Sequence, residues 1–566
     1  MTASNELVDR LQAAARLFAG ERTMEKAAAL AACARLELRE PAELLAYHDA
    51  LLFLAAYPES AALRSGALRE LRRVAGAART LARGGGARRK RALDGSGVAW
   101  SESCYAFSWR IARWLNRSFP AHAELEADGV DASGVRQLLQ LCLPRIELER
   151  LDEPHTDLAA LLGALRGTSP GSNLGWLLHS LDRLPGGEAI REHLYDALEV
   201  PVRFAPRSAP LTRTLARGPT GPIFYHRSAL EHEVELEALL EAPLPARMRL
   251  TAGERARVLD SARGVLATLG RETDTISFAW PAGVRAFALE RGVTVVLYAA
   301  LPEKRFPIDT HVGFMLFKNG LPAAYGGGWP FAGSCRIGIN VFPAFRGGES
   351  ARWFAEVMRV YRMRFAVERF VVEPYQFGAG NPEGLRSGAF WFYYRLGFRP
   401  VETRAARLAA EEFARIRTGR GYRTPLATMR ALTRCDLALR LPWAAPWPHP
   451  WPEPYHLSIA VSNRIAREFD GNRELAQRAA MRRLRTVLGP RQTTRHSPAG
   501  DQAYAGLALL FAGIADLGRW SAADKRACAA LLEAKSAEDE GAYLRGTQRH
   551  QRLRRALMAL AESAGG

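Results

Sequence analysis

Between an apolar run, RIGINVF at 336–342, and an amphipathic run beginning near 349 lies Arg346-Gly347-Gly348, followed by Ser350 and Ala351. A strand that turns through glycines into a helix presents the free N–H groups of the first helical turn at one point, where the helix dipole favours negative charge. This turn is a ready site for an anionic group. Other candidate clusters carry less. His226 and His232 lie beside glutamates, but their spacing does not put them on one helical face with a third ligand, so no metal is expected. Cys33, Cys104, Cys142, Cys335, Cys435 and Cys528 are far apart and form no CxxC, which excludes a zinc or disulfide framework and suits a reducing cytosol.

The elements that must position the turn form an α/β pattern. VTVVLYAA at 293–300 is rich in β-branched residues. HVGFMLFK at 311–318 and LPAAYGGG at 321–328 flank Asn319-Gly320, the strongest short-range hairpin signal, because both central residues tolerate positive φ. After the turn, Phe354, Val357, Met358, Tyr361 and Phe365 fall on one face of a helix over 349–365. RFVVEPY at 369–375 reads as a buried strand, 388–396 as a short aromatic helix, and 398–402 and 435–441 as closing strands. The glycines at 326–328 weaken a strand unless a backbone, a ligand or a bulge explains them.

The flanks are helical. Leu7, Leu11, Ala14 and Leu17 recur at helical spacing, as do Leu44, Tyr47, Leu51 and Leu54. A basic Gly-rich run at 79–97 reads as a loop or linker, or as a phosphate-touching loop through Arg83, Arg88, Arg89, Lys90 and Arg91. Ser228-Ala-Leu-Glu231 predicts a capping box, and 252–269 a helix closed by Gly270. The segment 441–454, LPWAAPWPHPWPEP, has proline at almost every second position. It is a rigid strap or a ligand for a partner protein's groove. The expected organisation is a helical region over 1–200 with a sub-boundary at 79–97, an α/β domain over 205–440, a Pro/Trp-rich linker over 441–456 and a helical region over 457–566.

At 566 residues the chain exceeds one core. Its formal charge of +19 favours encounters with polyanions or acidic partners, but no nucleic-acid motif accompanies that charge, so nucleic acid is not the favoured partner. The first residues lack a cationic stretch before an apolar core, and no run is long and apolar enough to span a membrane. A cytoplasmic location is expected.

The order hairpin, strand, Arg-Gly-Gly, helix, strand, loop, aromatic helix and Gly397-Phe398 resembles the GNAT superfamily of acyl-CoA-dependent N-acyltransferases. The resemblance covers about 250–440 and is specific over 336–400. It implies a GNAT-like mixed sheet flanked by helices, set between mainly helical N- and C-terminal regions. It also implies acetyl-CoA or another acyl-CoA as co-substrate, no metal, and an amine-bearing acceptor, for which the basic balance suits an acidic one. The phosphate loop of that family corresponds here to Arg346, Gly347, Gly348, Glu349, Ser350 and Ala351, with Glu349 in place of the central glycine. A carboxylate beside a pyrophosphate is repulsive unless it turns away.

In that family a tyrosine four residues before the Gly-Phe commonly protonates the leaving thiolate, which here is Tyr393. The usual asparagine falls at Arg386 by strict spacing, with Asn381 in a longer loop. The strand at Asn340, Val341 and Phe342 would supply the backbone N–H for the thioester oxygen. A lysine-like amine is about 99.9% protonated at neutral pH, a penalty of about 4.6 kcal/mol, so a base is required. Glu373 and His311 are the candidates. Two other readings keep the fold: transfer of aminoacyl groups from charged tRNA, and a catalytically degenerate scaffold for protein–protein contacts.

Overall fold

A computed structural model describes residues 3–18, 22–84, 86–152, 157–206, 209–419, 421–444, 452–490, 498–537 and 539–563. It is a mixed helix–sheet structure whose central mixed sheet is flanked by helices. Among the described residues there are two sheets. β1 (Ser103–Ala106), β2 (Ala123–Leu125) and β3 (Pro201–Phe204) form a small antiparallel sheet in the order β1-β3-β2. These strands lie in the region expected to be helical, and they share with the helices around them a core of their own, including Trp109, Leu139, Leu177 and Phe204.

The large sheet contains β4 (Arg285–Ala288), β5 (Val293–Ala299), β6 (Val312–Lys318), β7 (Leu321–Phe331), β8 (Ser334–Val341), β9 (Arg369–Val372), β10 (Arg399–Pro400) and β11 (Leu437–Arg440). Their spatial order is β4-β5-β6-β7-β8-β9-β11-β10. Every pairing is antiparallel except β8 with β9, which is parallel. Helix Ser350–Phe365 makes the β8-to-β9 crossover and buries Trp353, Phe354, Val357, Met358 and Tyr361. The hairpin between β6 and β7 turns at Asn319 and Gly320, whose φ values of 48° and 80° are those the dipeptide tolerates.

The β7 glycines are not a bulge. The register irregularity lies farther along, between Leu316 and Phe317. Gly313, Gly327 and Gly338 stand directly opposite one another on β6, β7 and β8, and so share one sheet face. Neighbouring side chains occupy the missing Cβ positions: His311 Nε2 lies 2.6 Å from where a Cβ of Gly327 would be, and the Gln376 carboxamide 2.6–2.8 Å from that of Gly338. On the other face Gly328 admits Tyr361 and Cys335.

Three local expectations change. The run at 79–97 is largely helical, with helices Ala61–Gly84 and Gly86–Arg91, because its cations find partners: Arg89 pairs with Glu40 and Lys90 with Glu102, each at 2.6 Å, while Arg79 and Arg83 lie over Trp100. Ser228–Glu231 caps no helix. The capping box is at Thr251 and Glu254, opening helix Ala252–Thr268. The strand expected over 369–375 stops at Val372, where Pro374 starts a tight helical turn. Residues 445–451 of the Trp-Pro strap lie outside the described residues. At its ends, Trp443 stacks under Arg362 and Glu453 pairs with Arg336. Among the described residues no helix is long and apolar enough to cross a membrane.

Candidate functional site

The parallel strands β8 and β9 pair only through Ser334↔Arg369, Cys335↔Phe370 and Arg336↔Val371. β9 then ends while β8 runs on to Val341, so residues 337–341 are paired with β7 on one side and not with β9 on the other. This opening is the centre of the candidate site.

The amides of β8 alternate about the strand. Phe342 donates its N–H to Ala323 on the β7 side at 3.0 Å, so the amides of Asn340 and Phe342 are directed away from the opening. Those of Ile339 and Val341 are directed into it. Of the three residues expected to present an N–H, only Val341 directs it into the opening, as Ile339 also does; Asn340 and Phe342 direct theirs to β7, and the Asn340 side chain is exposed. Sequence reasoning missed Ile339 because the sense of the alternation depends on which side β7 lies.

Tyr393, on helix Ala389–Arg395, is buried among Phe354, Phe377 and Phe398. Its hydroxyl meets the backbone of Ile339. Burial raises this phenol well above its ordinary value, which the Ile339 backbone only partly offsets, so it holds its proton at neutral pH. Glu373 directly follows β9 at the mouth of the opening. It is half exposed and pairs with Arg336 at 3.4 Å. Gln376, from the turn Pro374–Phe377, lays its carboxamide over Gly338 inside the opening. His311 lies over Gly327 on β7, beside the Gln376 that covers Gly338 on the same sheet face. Its ring stacks on Trp329 with centroids 3.7 Å apart, and burial pushes its imidazole down to about 3, so it is neutral. Asn381 caps helix Pro382–Ser387, accepting from Gly384 and donating to the Tyr375 carbonyl, both at 3.0 Å, so it is a structural residue.

At the C-terminal end of β8 the chain passes through Pro343–Phe345 into the Arg-Gly-Gly turn. Arg346 is exposed and pairs with Glu383 at 2.6 Å. Gly347 has φ of 82°, a conformation that favours glycine. Gly348 is packed against the Tyr57 hydroxyl so closely that a Cβ would collide with it. Ser350 and Ala351, half-buried, begin the helix.

Glu349 is turned away from this surface and completely buried. Arg291 Nε donates to its carboxylate at 2.9 Å and Lys318 Nζ at 3.1 Å. The Glu231 N–H donates to it at 3.2 Å, and His226 Nδ1 lies 3.9 Å away. Burial pushes this carboxyl up, but the Lys318 charge and the Arg291 hydrogen bond outweigh it and hold it well below the usual carboxylate range. The carboxylate that stands where a phosphate loop would carry glycine therefore does not face the turn's outer surface. A charged residue at a helix start reads as a solvated first-turn acid, and its partners are too far along the chain for any spacing rule to find.

Around the opening, Tyr105 and Tyr375 are exposed and Arg271 donates to the Tyr325 hydroxyl at 3.2 Å. Tyr325 sits opposite Asn340 in the sheet, and Arg271 also acts on Glu383. These residues rim the site between the opening and the Arg346 turn. Among the described residues no group of three or more His, Cys, Asp or Glu is placed to hold a metal ion. Comparison with protein families, with curated proteins and with solved structures returns no match for this chain.

Proposed function

We propose that the protein is an N-acyltransferase of GNAT type, moving an acyl group from acyl-CoA to an amine. The observation that carries this reading is the opening between the parallel strands β8 and β9, with the Tyr393 hydroxyl at the Ile339 backbone inside it. The strand–turn–helix leading to Arg346 stands at the same end of β8. The exposed backbone of Gly347 allows close approach there, and the inward turn of Glu349 removes the repulsion its position in the sequence implied.

Acyl-CoA would supply an activated acyl thioester. Arg346, the Gly347 backbone and the first amides of helix 350–365 would hold its phosphates. The N–H of Val341 would face the acyl carbonyl oxygen. Tyr393, protonated at neutral pH, would donate a proton to the leaving sulfur. Glu373 stands at the mouth, where it can take a proton from the incoming amine directly or through water. The exposed tyrosines 105 and 375 and Arg271 border the side from which an acceptor would come, and the cation suits an acidic acceptor.

The test is calorimetric titration of acetyl-CoA into wild type and Arg346→Glu. Binding by wild type that Arg346→Glu loses is the expected result; no binding to either sinks the reading. One observation favours a non-catalytic scaffold instead: Gln376 occupies the opening over Gly338. If Gln376 is a movable cover, Gln376→Ala binds acetyl-CoA at least as tightly as wild type. If neither protein binds, the scaffold reading stands.

A further inference from the structure

A second site lies away from the sheet opening. Helix Trp109–Ser118 places Arg110, Arg113, Trp114 and Arg117 on one face, a turn apart. That face meets helix Asn173–Asp182 and residues 263–279 around a cavity of about 410 Å³, a size suited to a small-molecule ligand. Arg110, Arg113, Arg117 and Arg263 line it, against two carboxylates, Asp182 and Glu188.

Those carboxylates do not balance the cations. Asp182 is engaged by Arg113 at 2.8 Å. Glu188 and Glu192 each reach Arg110 only at 3.6 Å, Glu192 is already held by Lys304 at 2.6 Å, and the buried Arg110 Nε has no hydrogen-bond partner. Asp260 is held by the Trp114 indole at 3.0 Å and lies 3.7 Å from Arg263. The Ile276 and Ala279 carbonyls, at 3.3 and 2.7 Å, fix the Arg263 guanidinium in place. Burial lowers that group, Asp260 opposes the shift, and the nearby charges of Arg117 and Arg110 add to it. Among the described residues no carboxylate forms an ion pair with Arg117. Like charges gathered in a half-buried cavity repel one another unless an anion joins them.

We propose that this cavity binds a small phosphate-bearing ligand, its oxyanion held between Arg110, Arg117 and Arg263. Planar guanidinium groups match tetrahedral oxyanions through paired N–H donors, which a cluster of lysines would not do. Trp114, Leu178 and Leu301 supply apolar wall for the remainder of the ligand. The cavity is built by two units with separate cores, so an occupant would also tie the 98–206 segment to the central domain.

The experiment titrates the full-length protein with pyrophosphate and, separately, with citrate, using wild type, Arg117→Glu and Arg346→Glu. Pyrophosphate is expected to bind wild type, to keep its binding at the cavity in Arg346→Glu whatever that variant loses at the Arg346 turn, and to bind the cavity of Arg117→Glu about tenfold or more weakly. Arg117 is exposed, so Arg117→Glu is expected to keep the thermal midpoint of wild type; Arg117→Gln, expected to weaken binding in the same direction, serves if Arg117→Glu does not fold. The proposal is overturned if folded wild type binds no pyrophosphate, if Arg117→Glu binds it unchanged, or if only Arg346→Glu loses it. Preference for citrate overturns the phosphate assignment. The acyltransferase reading fails separately, on acetyl-CoA.

Discussion

The backbone N–H of Glu349 donates a hydrogen bond to the hydroxyl of Tyr57 at 2.9 Å, joining the start of the crossover helix to a helix almost three hundred residues earlier in the chain. Tyr57 also stacks parallel to Trp353, 4° between ring planes, and lies under the Lys318 ammonium at 4.8 Å. The helical N-terminal segment thus fixes the inner side of the Arg-Gly-Gly turn. Tyr57→Phe removes the acceptor and leaves a buried N–H unsatisfied. It is expected to cost about 1–3 kcal/mol, read as a lower denaturant midpoint. An unchanged midpoint would show that the contact does not anchor the turn.

Glu349 should be more costly to alter. Glu349→Gln leaves Lys318 buried without a carboxylate and Arg291 with Glu231 alone, for an expected loss of about 3–5 kcal/mol. Lys318→Met in the same chain removes the stranded charge and should recover part of it. The carboxyl is depressed in the fold relative to the unfolded chain. Its contribution is therefore present above about pH 4.3 and lost as pH falls through the folded value. Additive effects of the two substitutions in denaturant unfolding would mean the residues are not coupled.

His226 gives a pH dependence of known sign. Its imidazole is buried beside Tyr57 and Phe224, and burial together with the Lys318 charge pushes it down to about 3. The unfolded imidazole titrates near about 6.5. Between those values the unfolded chain binds a proton that the folded chain does not, so stability falls as pH drops through this window. His226→Phe abolishes that term. Relative to wild type it should gain about 1.4 kcal/mol between pH 5.5 and 4.5, measured by denaturant unfolding at both values. A stability difference independent of pH would place the histidine's charge elsewhere.

The hairpin at Asn319-Gly320 and the strand–turn–helix at Arg346 were legible because their signals are local: positive φ at two adjacent residues, glycines before an amphipathic run. What was not legible depends on long-range placement. The basic run at 79–97 looks like a linker until Glu40, Glu102 and Trp100 neutralise or cover its cations. Glu349 looks like a surface acid until Lys318, Arg291 and Tyr57 surround it. Gln376 carries no signal at all, since a glutamine after Pro-Tyr becomes part of the site only where β9 ends early and Gly338 lacks a side chain. The arginines on helix 109–118 are visible as a helical stripe, but the facing Arg263 that turns the stripe into a cavity is not.

The acyl-transfer reading makes a divided prediction for Tyr393. Its hydroxyl is fully buried against the Ile339 backbone, and the high value of its phenol makes it a proton donor and not a base at neutral pH. Tyr393→Phe keeps the ring packed against Phe354, Phe377 and Phe398, so the aromatic core and the acetyl-CoA dissociation constant should change little. Proton donation to a leaving group is worth about 10²–10⁴ in rate, so once an amine acceptor has been found by screening, kcat should fall by about that factor. A variant that loses acetyl-CoA affinity and turnover together would assign Tyr393 to packing. One that retains full turnover would remove it from the chemistry and leave the opening without its proton donor.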